Sequence, residues 1–176
     1  ALLGSCATEP APEPMSNGLL LSLAVLESGP SGPVPQPAQL GILTNDGTAW
    51  SYRYIEDEES NVFHKAMVFA PTGGEPVILT AGGTKAIIKQ WSKDGSSLTL
   101  WEKDFGGKFS RMRDLEVADV NADGVTDIVV ATHDQGVVAV LYGDASGSFT
   151  VSELDAEPNT FVHEVEVGDL NNDGVL

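Results

Sequence analysis

A repeat with a period of 50 residues is the feature that most constrains what this chain can fold into. Shifting the sequence by 50 positions superposes seven identical residues: Glu116, Val117, Asp119, Asn121, Asp123, Gly124 and Val125 fall on Glu166, Val167, Asp169, Asn171, Asp173, Gly174 and Val175. The opposite shift aligns the apolar pair Ile78-Leu79 with Ile128-Val129. One unit of this length cannot bury its own apolar faces, so consecutive copies are expected to pack on one another.

Within each period the pattern is that of short strands. Asn45-Asp46-Gly47 predicts a hairpin, because these residues tolerate the positive φ angles of a tight turn. No apolar period of 3.6 residues persists for the length of a helix. The predicted strands are Leu40–Thr44, Thr48–Tyr54, Phe63–Phe69, Val77–Ala81, Ala86–Trp91, Leu98–Glu102, Leu115–Val120, Asp127–Thr132, Val137–Tyr142, Phe149–Leu154 and Phe161–Val167.

Four short strands in a 50-residue repeat are typical of one propeller blade. We therefore expect an all-β chain that forms a partial β-propeller of four-stranded antiparallel blades. Residues 64–113 and 114–163 are the two complete blades, 39–63 a divergent first blade, and 164–176 the start of a further blade. A closed propeller needs at least four blades, so we expect the intact protein to extend beyond Leu176.

Residues 1–38 differ from the repeats. Leu3-Gly4-Ser5-Cys6 resembles a bacterial lipobox, which implies cleavage before Cys6 and lipid attachment to it. The alternative is a chance tetrapeptide with a free or buried thiol. Three prolines at positions 10 to 14 favour an extended tether. We assign 1–38 to a signal-peptide remnant and Pro-rich tether, with a candidate strand at 19–26 that is far shorter than the roughly 20 apolar residues of a membrane span.

The charge of the chain excludes some partners. Nine Lys and Arg against 26 Asp and Glu give a formal net charge of −17, and nucleic-acid binding needs clustered cations, so nucleic acid is not an expected partner. After Arg113 the chain has 14 Asp and Glu but no Lys or Arg, which predicts a cation-binding region or, alternatively, a generally acidic secreted surface. The seven cations between Lys85 and Arg113 are expected to be solvated; the alternative is pairing with the acidic neighbouring blade. A single cysteine excludes an internal disulfide.

One short loop has the spacing of a calcium site. It places oxygen-bearing side chains at positions 1, 3, 5 and 9, which are Asp119, Asn121, Asp123 and Asp127, with Gly124 at position 6. Position 7 is Val125, whose backbone carbonyl is a further oxygen donor. Ca²⁺ takes six to eight oxygen ligands in flexible geometry, and the glycine permits the tight turn. The sequence therefore predicts a Ca²⁺ site here and a second one at Asp169, Asn171, Asp173 and Val175.

The main competing interpretation is an EF-hand, which needs a bidentate Glu at position 12 and flanking helices. Position 12 is Val130, inside a β-branched strand pattern, so Asp127 is expected to close the loop instead. The loop, together with the glycine-rich segment Gly143–Phe149, resembles FG-GAP and VCBS repeats, the family that includes the blades of the integrin α-subunit propeller. The resemblance covers 113–176 well and 63–112 weakly, and it implies that the loop aspartates bind Ca²⁺. The preceding loop, Phe69–Val77, lacks the aligned carboxylates, and its Glu75 is out of register.

Candidate catalytic groups are sparse. His64, His133 and His163 are far apart in sequence and fall at non-equivalent blade positions, and no nucleophile motif accompanies them. His133-Asp134 follows a strand and is interpreted as a turn, with an acid–base pair as the alternative. Trp50, Trp91 and Trp101 are expected to pack within blades, with a sugar-stacking platform as the alternative.

We therefore expect a non-catalytic, calcium-stabilised module on the outside of a bacterial cell. Its expected cofactor is Ca²⁺, and its expected role is adhesion or the recognition of an extracellular protein or carbohydrate. Membrane contact is expected only through a lipid on Cys6, which would place the protein on the outer membrane. The alternatives are an accessory propeller of an extracellular, polysaccharide-active enzyme, or a lectin with sugar sites between blades.

Overall fold

The computed structural model describes residues 17–83, 85–106, 110–157 and 159–176. Strands are the only regular elements in those residues. They are β1 (Asn17–Leu23), β2 (Leu26–Gly29), β3 (Gly32–Pro35), β4 (Ala38–Asn45), β5 (Trp50–Asp57), β6 (Phe63–Phe69), β7 (Val77–Gly82), β8 (Ala86–Trp91), β9 (Ser97–Lys103), β10 (Met112–Ala118), β11 (Asp127–Thr132), β12 (Val137–Gly143) and β13 (Phe149–Ala156). Over the same residues, no helix has the length and apolar character needed to cross a membrane.

The strands form four antiparallel sheets. Sheet I has the order β1-β4-β5, sheet II the order β6-β7-β8-β9, sheet III the order β10-β11-β12-β13, and β2 and β3 form a separate hairpin. Sheets II and III are thus four-stranded meanders in chain order. Their first strands lie side by side, since β6 packs against both β1 and β10. This arrangement confirms the prediction of an all-β, partial β-propeller with four-stranded antiparallel blades.

Two apolar cores hold the sheets face to face. Between sheets I and II the buried side chains include Leu40, Ile42, Phe63 and Trp91. Between sheets II and III they include Phe69, Leu79, Ile88, Met112, Leu115, Ile128, Val130 and Leu141. Complete burial of one such side chain contributes about 1.5–3 kcal/mol. Packing between consecutive sheets is therefore the main stabilising term, as expected for repeats that cannot bury their faces alone.

Residues 17–35, which the sequence analysis assigned to a tether with one candidate strand, form β1, β2 and β3, whereas residues 1–16 lie outside the described residues. β1 pairs with β4 along seven residues, from Asn17↔Asn45 to Leu23↔Gln39, and so completes sheet I. The candidate strand at 19–26 is divided, because β1 ends at Leu23 and β2 starts at Leu26. Pro30, Pro33, Pro35 and Pro37 lie in and around the β2–β3 hairpin, whose exposed strands tolerate residues that lack an N–H.

Two strand predictions near the repeat junctions need correction. The strand predicted at Leu115–Val120 starts three residues earlier, at Met112, and ends two residues earlier, at Ala118. It ends before Val120 because the N–H of Val120 donates to the carboxylate of Asp127 in place of a strand neighbour. The strand predicted at Phe161–Val167 does not form. A strand needs a hydrogen-bonded neighbour, and this segment pairs with none of the described strands.

Candidate metal loops

The first candidate loop joins the end of β10 to the start of β11 on sheet III. Ala118 and Asp127 face each other as the last paired residues of the two strands, so residues 119–126 must reverse the chain. The reversal uses left-handed conformations at Ala122 (φ 59°) and Gly124 (φ 85°). Gly124 takes its angle without the steric strain that a Cβ introduces, whereas Ala122 bears that strain.

Side-chain oxygens of this loop accept hydrogen bonds from backbone N–H groups of the same loop. Asp119 accepts the N–H groups of Asp123 and Gly124 at 3.0 and 2.8 Å. Asn121 accepts the N–H of Asp123 at 3.0 Å, and Asp123 accepts that of Val125 at 2.8 Å. These bonds hold the side chains at positions 1, 3 and 5 around the same turn.

The second loop repeats the conformation of the first. Asn172 and Gly174 take the left-handed angles, at φ 60° and 89°. Asp169 accepts the N–H groups of Asp173 and Gly174 at 3.1 and 2.6 Å, and Asp173 accepts that of Val175 at 2.9 Å. The bond from Gly174 lowers the pKa of Asp169 below its usual value. Both copies of the motif therefore specify one local structure.

Asp127 has a different environment from the other loop residues. Its side chain is fully buried. One carboxylate oxygen accepts the N–H of Val120 at 3.0 Å, and the other accepts the N–H of Gly143 at 2.9 Å. Asp127 therefore ties the start of the loop to the end of β12. This second role was not visible in the sequence, which gives no indication that Gly143 comes close.

The donor chemistry of the loops fits a hard cation. Carboxylate, amide and carbonyl oxygens are the ligands that Ca²⁺ prefers, and no softer donor belongs to the motif. Among the described residues, no three acidic, histidine or cysteine side chains form a preassembled metal-binding group. Ca²⁺ at the first loop would be held by Asp119, Asn121, Asp123 and Asp127, with the carbonyl of Val125.

The preceding blade carries the degenerate loop between β6 and β7. Its turn is closed by the N–H of Gly74 donating to the carbonyl of Pro71 at 2.9 Å. Its Thr72 hydroxyl lies 3.4 Å from the N–H of Thr126 in the first candidate loop. Between the two loops lies a cavity of about 130 Å³, whose lining includes Phe69, Gln90 and Phe149.

The three tryptophans predicted as packing residues lie in different environments. Trp91 is buried and donates to the Thr80 hydroxyl at 2.9 Å, and Trp101 packs edge-on against Phe105. Trp50 is exposed on sheet I, so the three tryptophans do not form one platform. Cys6 lies outside the described residues.

The structure brings the histidines together, although their sequence positions suggested separate locations. The ring of His133 stacks on Phe161 at 4.8 Å and meets His163 edge-on at 4.9 Å. His64 contacts Arg113, whose Nη1 lies 3.0 Å from its Nδ1, and it is close enough to Arg111 and His133 for their charges to lower its pKa. Residues far apart in the chain meet here because the first strands of consecutive sheets lie side by side.

Some cations of sheet II pair with the acidic sheet III. Lys103 pairs with Glu153. Arg111 pairs with Asp134 at 2.7 Å, but these two residues flank β10 and β11 of one sheet. Lys65 contacts Asp114 at 2.9 Å. Such pairs form because sheets II and III face each other with opposite charges along their edges, although each exposed pair contributes only about 0.2–1 kcal/mol.

The two candidate loops lie in a segment that matches a known repeat family. The family model for the FG-GAP-like repeat matches residues 119–176, a segment that contains both candidate loops. No curated protein and no solved structure matches the chain. The matched segment begins at the first carboxylate of the first loop and ends just after the second. Residues 119–176 of the chain therefore carry an FG-GAP-like repeat.

Proposed function

We propose that this chain is a non-catalytic binding module of an extracellular bacterial protein, in which Ca²⁺ stabilises the blades. The observation that carries the proposal is the pair of loops 50 residues apart with the same left-handed residues and the same hydrogen bonds. The two aspartates and the asparagine also hold the turn through their hydrogen bonds, but the loop between β6 and β7 closes without the aligned carboxylates. The presence of the same oxygen-bearing side chains at positions 1, 3 and 5 of both loops supports a shared ligand.

The proposed role of the metal is structural. Without a cation, Asp119 and Asp123 place like charges in one exposed turn, and a bound Ca²⁺ reverses that repulsion. The unfolded chain has no preformed site, so binding energy adds to folding energy. One site occupied at 100 times its Kd contributes about 2.7 kcal/mol.

Thermal unfolding of the whole chain in Ca²⁺ and in chelator tests this role. In a chain of this length, 1 kcal/mol shifts Tm by about 2–4 °C, so one occupied site predicts a shift of about 5–11 °C. Asp123→Ala and Asp173→Ala should each remove part of the shift, and together most of it. Glu75→Ala in the degenerate loop is the matched control and should leave it intact. Equal Tm in Ca²⁺ and chelator for the unmodified chain would refute the structural role.

A lectin is the second candidate, favoured by the cavity between the loops of sheets II and III. Phe69 and Phe149 provide apolar walls, and Gln90 and Asp144 provide polar groups, a combination suited to a sugar ring. Glycan-array binding that is lost in Phe149→Ala would support the lectin. Binding unaffected by this change would place the ligand elsewhere.

The proposed location is the outside of the cell, where FG-GAP repeats generally occur. We further propose that Cys6 carries a lipid. Metabolic labelling with a palmitate analogue in a bacterial host should tag the chain expressed with its natural upstream sequence and not its Cys6→Ser variant. Equal labelling of both would remove the lipid anchor and leave a secreted protein.

A further inference from the structure

A group of arginines and histidines lies at the end of sheet III opposite the candidate metal loop. We call it the Arg–His cluster, and it consists of His64, Arg111, Arg113, His133 and His163. Arg113 lies near the start of β10, whereas the metal loop follows the end of that strand. Because β11 runs antiparallel to β10, its last residues return to the same end, where His133 and Asp134 follow Thr132. The cluster is therefore a separate site.

Two β-bulges bring the cluster together. The pairing of β6 with β7 steps from Phe63 to Lys65, and that of β10 with β11 steps from Met112 to Asp114. His64 and Arg113 are thus the extra residues, near the start of the first strand in two consecutive sheets. A bulge takes a side chain out of the regular alternation and re-aims it. Here it leaves the two side chains 3.0 Å apart.

One of the two ring nitrogens of His64 has no hydrogen-bond partner among the described residues. A guanidinium group only donates, so Nδ1 of His64 accepts from Arg113, and a neutral ring carries its proton on Nε2. Burial, with the charges of Arg113 and Arg111 adding to it, lowers the pKa of His64 to about 4, so the ring is neutral at pH 7. Its Nε2 atom is buried and has no hydrogen-bond partner in the described part of the chain. A buried donor of this kind calls for an acceptor.

The charges in the cluster are not fully compensated. Arg111 is held by Asp134 through two nitrogens, at 2.8 and 2.7 Å, and this contact lowers the pKa of Asp134 to about 2. Arg113, in contrast, has no carboxylate within 4.0 Å among the residues that the structure describes. Arg113 is therefore a cation next to an unsatisfied N–H donor, in a chain that otherwise has a large excess of acidic groups.

The neighbouring rings complete the surroundings. His133 lies 3.4 Å from Nη2 of Arg111, and it contacts both Phe161 and His163. Phe161 and His163 are exposed, so this side of the cluster is open to solvent. The exposed aromatic rings thus lie on the His133 and Arg111 side of the cluster, and Arg113 is itself partly exposed.

We propose that the Arg–His cluster binds an oxyanion, a carboxylate or sulfate group of the ligand recognised by this module. Arg113 supplies the charge and a planar pair of N–H donors, and Nε2–H of His64 supplies a further donor. The inference rests on the proposed function as a binding module and names the chemical class of its ligand. It does not depend on Ca²⁺ or on the cavity between the loops.

Titration calorimetry of the whole chain at pH 7 with sodium sulfate and with sodium glucuronate tests the proposal, with glucose and sodium chloride as controls at matched ionic strength. We expect saturable binding of at least one oxyanion and none of glucose. Arg113→Gln should weaken binding at least tenfold. Arg53→Gln removes an exposed cation on sheet I and should leave affinity within twofold.

Imidazole NMR signals provide a second measurement that does not need the Arg113 variant to fold. The oxyanion that binds should shift the His64 ring resonances of the unmodified chain, and His64→Gln should weaken binding. Selective binding of glucuronate indicates a carboxylate ligand, and selective binding of sulfate indicates a sulfated one. Absence of saturable binding, or equal losses in Arg113→Gln and Arg53→Gln, would overturn the proposal. A Ca²⁺-dependent Tm that persists in that case would leave the proposed function standing.

Discussion

Replacement of Asp127 separates its structural role from its role as a candidate metal ligand. In Asp127→Ala the N–H groups of Val120 and Gly143 lose their acceptor in a fully buried position. A hydrogen bond to a charged group contributes about 1.5–3 kcal/mol, so the loss of two such bonds should lower the free energy of unfolding by about 3–6 kcal/mol. This loss should appear in chelator as well as in Ca²⁺, because neither bond involves a metal.

Two further variants make the comparison quantitative. Asp127→Asn keeps one acceptor oxygen and turns an NH₂ group towards the other N–H, so about half of the loss is expected. Asp123→Ala removes an exposed acceptor of two bonds, from the N–H of Val125 and from Nδ2 of Asn121. Because this carboxylate is exposed, the change should lower the free energy of unfolding in chelator by less than about 1 kcal/mol. In Ca²⁺ both alanine variants should also lose stabilisation by the metal.

Urea denaturation of each variant, monitored by tryptophan fluorescence with and without chelator, gives the free energies of unfolding. If Asp127→Ala costs less than about 1 kcal/mol in chelator, Asp127 does not connect the loop to β12 as described. If Asp127→Ala and Asp123→Ala cost the same in chelator, the burial of Asp127 has no energetic consequence and the reasoning fails.

Three other predictions test the sheets. Lys89→Met should lower the free energy of unfolding, measured by urea denaturation, by about 3–5 kcal/mol, because it removes the cation 2.7 Å from the buried carboxylate of Asp57. The double variant that adds Asp57→Asn should recover most of this stability. The pKa of His64 is about 4 in the folded chain and 6.5 for an ordinary histidine, so the unfolded chain binds more protons between pH 4 and 6.5. Tm should therefore fall as the pH drops from 6.5 to 4. His64→Gln should flatten this part of the plot of Tm against pH. Gly143→Ala would place a Cβ 2.6 Å from the carbonyl oxygen of Thr126 and should lower stability by about 1–3 kcal/mol; an unchanged Tm would contradict this packing.

The repeats were the most predictable part of the fold. The predicted bounds of β6, β8 and β11 match the structure, because alternating apolar residues between glycine-containing turns specify strands locally. The candidate strand at 19–26 overlaps β1, but its pairing with β4 in sheet I was not predicted, since tertiary packing that no local pattern encodes selects the partner strand.

The same division applies to the candidate sites. The metal loop was predictable because its donors are close in sequence and their spacing reflects local geometry. The Arg–His cluster was not, because His64 and Arg113 come from different sheets and meet through bulges. A bulge appears in the sequence only as a loss of alternation over one residue, which resembles ordinary variation.

The pairing of Lys103 with Glu153 has a consequence for how tandem repeats avoid misassembly. The two residues are 50 positions apart, so the same position in successive repeats carries opposite charges. A chain in which sheet III packed against sheet III of another molecule would set Glu153 against Glu153 at that position. Opposite charges at equivalent positions therefore disfavour the exchange of sheets between newly synthesised chains, which is a characteristic misfolding route of repeat proteins. The native packing of sheet II on sheet III is not destabilised by them.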